Sequence, residues 1–120
     1  MVSFAAIHAL SAQIAAMFQP ERSILFGSYA YGTPGQDSDV DLLVVMPYTR
    51  HAAYQAAAIL TQVKPTFPVD VLVRTPEEVA ERIAQGDSFL REVVERGRAL
   101  YAAPHVRAAL RASLGLPLTP

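Results

Sequence analysis

Apolar positions set out the elements of this chain before any motif is considered. Phe4, Ile7, Leu10, Ile14, Met17 and Phe18 recur every three or four residues and predict one face of a helix, which Pro20 ends. Ser23 to Phe26 is a short apolar run closed by Gly27, and reads as a strand because it is too short for a helix. Gly32, Pro34 and Gly35 then enforce a loop. Val40 to Met46 is apolar on both alternating faces after an acidic start, which predicts a strand central in its sheet, stopped by Pro47.

The second half continues the alternation. The alanine-rich stretch Ala52 to Val63 predicts a helix, with Tyr54, Ala58 and Ile59 or Leu60 on one side and Pro65 and Pro68 at its exit. Val69 to Val73 is a third strand, apolar except for Asp70. Thr75-Pro76-Glu77-Glu78 is a helix start, with Thr75 as N-cap, Pro76 in the first turn and Glu78 completing a capping box. Val79 and Ile83 face inward, and Gly86 closes that helix. Phe89, Leu90, Val93 and Val94 mark another helix, ended by Gly97. A short extended piece follows at Ala99 to Tyr101. A last helix runs from Pro104 to Leu114, with Val106, Leu110 and Leu114 as an apolar stripe suited to packing on the domain. The pattern predicts an α/β (α+β) fold: a small central sheet with helices packed on it.

Composition narrows the classes. The 120 residues suit one domain spanning 1–120, and 52% apolar against 18% charged side chains supply a core and argue against disorder. Ten basic against eleven acidic residues give a charge of −1, so the basic excess of a nucleic-acid-binding protein is missing and no direct nucleic-acid partner is expected. Without cysteine there is no disulfide, thiolate zinc site or cysteine nucleophile. The apolar N-terminus lacks the charged leader of a signal peptide, and no run is long enough to span a bilayer. A soluble, cytoplasmic protein without membrane association is the expectation.

The candidate chemistry sits in GSYAYGTPGQDSDVDLLVV, residues 27 to 45. Residues i and i+2 of a strand share a face, so Asp39 and Asp41 project together with carboxylates on the order of 7 Å or less apart. Asp70 joins them if its strand is the neighbour. Three carboxylates on one face repel one another unless cations compensate, and Mg²⁺ takes hard oxygen ligands of this kind together with substrate phosphates. Gly27 and Ser28 follow a strand immediately, where a glycine admits close backbone approach and amides plus a hydroxyl can hold phosphate oxygens. A short helix starting near Ser28 would add its N-terminal dipole. Read singly, the pieces have plainer explanations: an aspartate pair capping loop amides, a solvated acid at a strand edge, a turn serine. Tyr29 and Tyr31 are as suited to packing as to nucleotide contact, Ser38 reads as a loop hydrogen-bonder, and the three histidines have no metal-ligand spacing.

Taken together, Gly27-Ser28-Tyr29-Ala30-Tyr31-Gly32 followed by Ser38-Asp39-Val40-Asp41-Leu42 resembles the GSxAxG…SDxDL signature of the minimal nucleotidyltransferases, within the DNA polymerase β-like nucleotidyltransferase superfamily. The resemblance covers most of the chain, from the first helix to the ERGRALY stretch. It implies two Mg²⁺ ions at Asp39 and Asp41, Asp70 as third catalytic and metal-binding carboxylate acting on an acceptor hydroxyl, and Gly27 and Ser28 on the triphosphate of ATP. It further implies an MntA-type antitoxin that transfers AMP to a tyrosine of a helical HEPN ribonuclease toxin, its partner. A small-molecule nucleotidyltransferase of the aminoglycoside-modifying type and a binding-only antitoxin are the alternatives. Tyr31 departs from the pattern, because several relatives carry arginine there, where it could contact phosphates. The final sixteen or so residues, a helix and tail, would then be available for partner docking.

Overall fold

The computed structural model describes residues 1–116. In chain order the elements are α1 (Phe4–Phe18), β1 (Arg22–Phe26), α2 (Ser28–Tyr31), β2 (Val40–Val45), α3 (Ala52–Val63), β3 (Val69–Arg74), α4 (Pro76–Ala84), α5 (Ser88–Arg96), β4 (Arg98–Ala102) and α6 (Pro104–Ser113). The sheet runs β3-β2-β1-β4, with β2 parallel to β3 and β1 antiparallel to both β2 and β4. The fold is therefore a mixed α/β domain on one four-stranded sheet. The short extended piece expected at Ala99 to Tyr101 is the edge strand β4, with a register shift opposite Ser23 and Ile24.

Alternation along the strands divides the core in two. Leu25, Leu42 and Val44 face α1 and α3, where they pack with Ile7, Leu10, Ile14, Ile59 and Val63. Ile24, Leu43 and Val45 face α4 and α5, against Val79, Leu90 and Val93. Because β2 is covered on both sides, its buried residues are apolar in sequence after Asp41, as a central strand requires. Side chains cap the helices: Ser3 Oγ accepts the Ala6 N–H at 3.1 Å, and Asp87 Oδ1 accepts the Leu90 N–H at 2.9 Å. At α4 the Thr75 hydroxyl accepts the Glu78 N–H while Glu78 Oε1 accepts the Thr75 N–H, the reciprocal box read from the sequence.

Three packing expectations are corrected. Phe4 and Met17 lie outside the buried face of α1, which is made by Ile7, Leu10, Ser11 and Ile14. Tyr54 is 60% exposed, while α3 buries Ile59, one of the two alternatives on that side, and Val63. The stripe of α6 is only partly covered: no residue of that helix is fully buried, Val106 is half-buried, and Leu110 and Leu114 are exposed. Helix α6 leaves from the edge strand β4 after α1, α3, α4 and α5 have covered the two sheet faces, so no core surface remains for it. The expected tail at 117–120 lies outside the described residues. No helix of the described residues is long and apolar enough to cross a membrane.

Candidate active site

The topology decides where Asp70 falls. Strands β2 and β3 are parallel neighbours whose register pairs Asp41 with Asp70. Partners in register share a sheet face, so both side chains join Leu43 and Leu72 on the α4/α5 side, at the open end before the helices cover it. The N–H of Val40 donates to Pro68 O at 3.1 Å and ties the two strand starts together. Asp39 precedes β2 by one residue, on a loop held by Ser38: its Oγ accepts the Gly35 N–H at 2.9 Å, and its N–H donates to Gly35 O at 3.2 Å. Ser38 thus holds the loop that presents Asp39, the plainer of its two readings.

Electrostatics carry the mark of this crowding. The Asp41 carboxyl is held above the ordinary carboxylate range, first by burial and then by the charges of Asp70 and Asp39. Among the described residues no hydrogen bond from a side chain and no salt bridge engages any of the three carboxylates. Asp39 and Asp70 are exposed and Asp41 is half-buried. Nor do three acidic or imidazole groups among the described residues close tightly enough to hold an ion as they stand, consistent with like charges that lack a counterion. In kind the donor set suits a hard divalent cation: oxygen donors, mutually repelling, with no ion pair to a protein cation among the described residues.

The Gly-Ser segment closes over the same carboxylate. Gly27 links β1 to α2 at φ 74°, in the left-handed region that glycine tolerates. A Cβ built there overlaps Asp41 Oδ2, so only glycine lets the backbone lie against this carboxylate. Gly27 O accepts the N–H groups of Ala30 and Tyr31, which turns the chain into α2. The N–H groups of Ser28 and Tyr29 have no backbone partner among the described residues. Phosphate-type donors and metal-type acceptors are thereby set against each other, although eleven or more positions separate them in sequence.

Two features were not legible beforehand. Tyr31, the departure from the signature, lies under a guanidinium: Arg96 Cζ sits 5.1 Å from its ring centroid. An arginine therefore reaches α2 from α5 although none is encoded in the loop. Phe26, cross-strand partner of Asp41, packs edge-to-face on Phe89, with centroids 5.5 Å apart and planes at 83°. Phe89 falls in the apolar pattern of α5, yet it is 47% exposed. The i, i+7 spacing of Phe89 and Arg96 is the signal that would have paired them on one helix face.

With this geometry in view, comparison with known proteins is decisive at the family level. The family model for the nucleotidyltransferase domain matches residues 9–100. The chain belongs to the nucleotidyltransferase domain family. The matched span of the nucleotidyltransferase domain runs from within α1 into β4, and so includes the Gly-Ser segment and all three aspartates. A structure from Sulfolobus solfataricus assigned as a nucleotidyltransferase is similar at TM-score 0.52 and 22% identity, over 64% of this chain and 70% of that one. A toxin–antitoxin structure with AMP-PNP is similar at TM-score 0.51 and 17% identity, over 90% of this chain and 92% of that one. At these identities the two structures speak for the fold. No curated protein matches the sequence.

Proposed function

We propose that this nucleotidyltransferase moves AMP from ATP to a hydroxyl, most specifically a tyrosine of a helical HEPN-type toxin, and so acts as an antitoxin. The observation that carries the chemistry is the register of Asp41 with Asp70 beneath the Gly27 backbone, with Asp39 adding its charge to the same cluster. Asp39, Asp41 and Asp70 would hold two Mg²⁺ ions, and Gly27 and Ser28 would orient the triphosphate. When bound, the divalent cation supplies neutralisation of phosphate and developing oxyanion charge. The acceptor oxygen bonds to the α-phosphorus, the bond to the β-phosphate breaks and pyrophosphate departs. The acceptor proton passes to the Asp70 carboxylate, which is exposed and able to meet it. Catalysis in this scheme is chiefly positioning.

The toxin partner is supported by a single specific likeness. The toxin–antitoxin structure with AMP-PNP is similar over nine-tenths of both chains and combines a nucleotide analogue with a partner protein. Helix α6 offers a candidate surface here: an apolar stripe with Val106 half-buried and Leu110 and Leu114 exposed, flanked by Arg107 and Arg111. The test is co-expression with a candidate helical HEPN-type partner, followed by intact-mass and peptide analysis of that partner. A mass increase of one AMP on a partner tyrosine, absent with Asp41→Asn, is the expected result. Neutralisation of the partner without any mass change would instead mark a binding-only antitoxin, and adenylylation of aminoglycosides would mark the small-molecule enzyme.

A further inference from the structure

The exposed aromatic beside the carboxylates has no role in the reading so far. Phe89 opens α5, with its edge anchored on Phe26 and about half its surface open to solvent. Phe26 immediately precedes Gly27 and is the register partner of Asp41. Cross-strand partners of an antiparallel pair stand about 5 Å apart at Cβ. Two packing steps therefore separate the Phe89 ring from the carboxylate cluster: 5.5 Å between rings, then one strand spacing. From Phe89 a groove of about 470 Å³ runs along α5 to Arg96, whose guanidinium lies over Tyr31 at the end of α2. The groove is lined by α5 residues, Glu92 and Glu95 among them, and its Phe89 end lies across the Phe26 ring from the acidic cluster.

About half of the large apolar ring of Phe89 is open to water and available to an occupant. Anchored edge-on by Phe26, it loses little side-chain freedom when a flat ligand covers it. A flat ligand on this ring has Phe26, Gly27 and Asp41 next along its path towards the aspartates. We infer that Phe89 is the platform on which the base of the nucleoside triphosphate stacks, an inference that rests on the nucleotide reading above. Stacking on an aromatic side chain tolerates any base, so this platform strengthens nucleotide binding without choosing adenine.

Calorimetric titration with Mg²⁺-ATP and, separately, Mg²⁺-tripolyphosphate separates base from phosphate. Phe89→Ala is expected to weaken ATP binding roughly tenfold and to leave tripolyphosphate unchanged. Phe89→Leu, which keeps apolar packing on Phe26 but removes the π-face, should resemble Phe89→Ala, while Phe89→Tyr should resemble wild type. Circular dichroism on each variant checks folding. Equal affinities for ATP in wild type, Phe89→Ala and Phe89→Leu would overturn the platform and leave the nucleotide reading standing. Equal weakening of both ligands would also overturn it, because the ring would then support the fold rather than the base. Unchanged ATP affinity with lost transfer would reassign the ring to the acceptor. A wild-type protein that binds neither ligand would remove the nucleotide reading and this inference together.

Discussion

Asp41 and Asp70 occupy the same rung of the parallel ladder between β2 and β3, two like charges facing one side of the sheet with no salt bridge to either among the described residues. Like charges directly opposite each other in a sheet destabilise it by about 0.2–1 kcal/mol. Asp41→Asn should therefore melt a few degrees higher than wild type in the absence of divalent cations. Addition of Mg²⁺ should raise the melting temperature of wild type and have little effect on the variant. Differential scanning calorimetry with chelator and with Mg²⁺ gives both numbers, and a variant that melts lower in chelator would refute the repulsion.

Gly27 should not accept a side chain. Its φ of 74° strains any L-residue, and the added methyl would displace the Asp41 carboxylate. Gly27→Ala is expected to cost on the order of 1–3 kcal/mol of stability and to weaken Mg²⁺-ATP binding beyond what stability explains. Urea denaturation and nucleotide titration on the same preparation distinguish the two effects.

Gly97 is crowded for a different reason. It sits at the turn from α5 into β4, and a Cβ there would overlap Val93 O, lie 2.6 Å from Ile24 Cγ2 and 2.9 Å from Leu25 O. Two of those neighbours are backbone and cannot yield. Gly97→Ala should destabilise by roughly 2 kcal/mol or more and shift α5 off the sheet. Loss of the Phe26–Phe89 ring contact, read from aromatic proton shifts, would accompany the drop in urea midpoint.

The capping box on α4 predicts an acid-dependent contribution. Glu78 is held below its ordinary 4.5, first by the Thr75 N–H and also by the Tyr48 hydroxyl, which donates to Oε1 at 2.8 Å. Its folded-state value is the lower one, so the stabilisation is present above 4.5 and is lost as pH falls through the depressed value. Thr75→Ala should cost about 1 kcal/mol at neutral pH. Glu78→Gln should be less stable than wild type at pH 7 and equal to it near the acid end of the titration, by urea denaturation across pH. A gap of constant size would contradict this assignment.

Much of this architecture was legible in the sequence, because the signals were local and strong. Thr75-Pro76-Glu77-Glu78 fixed a helix start to the residue, and the apolar run after Asp41 marked β2 as central. The aspartate pair and the Gly-Ser turn were visible for the same reason. Asp70 was harder, since its place beside Asp41 depends on strand order, which no local pattern encodes. The edge pairing of β4 depends on long-range contact in the same way. The α6 stripe misled because amphipathicity states that a face wants covering and does not say by what. The exposure of Phe89 and Tyr54 was hidden likewise, since an apolar residue in a helical pattern can face outward when nearby groups already fill the core.

Transfer of label from ATP tests the central claim most directly. The protein, Mg²⁺ and the proposed helical partner would be incubated with ATP carrying ³²P at the α-phosphate or, in parallel, at the γ-phosphate. The account predicts label on the partner from α-labelled ATP alone, and a loss of at least about 10²-fold in Asp39→Asn, Asp41→Asn and Asp70→Asn. Label from the γ-phosphate, or undiminished α-label in all three variants, would contradict it.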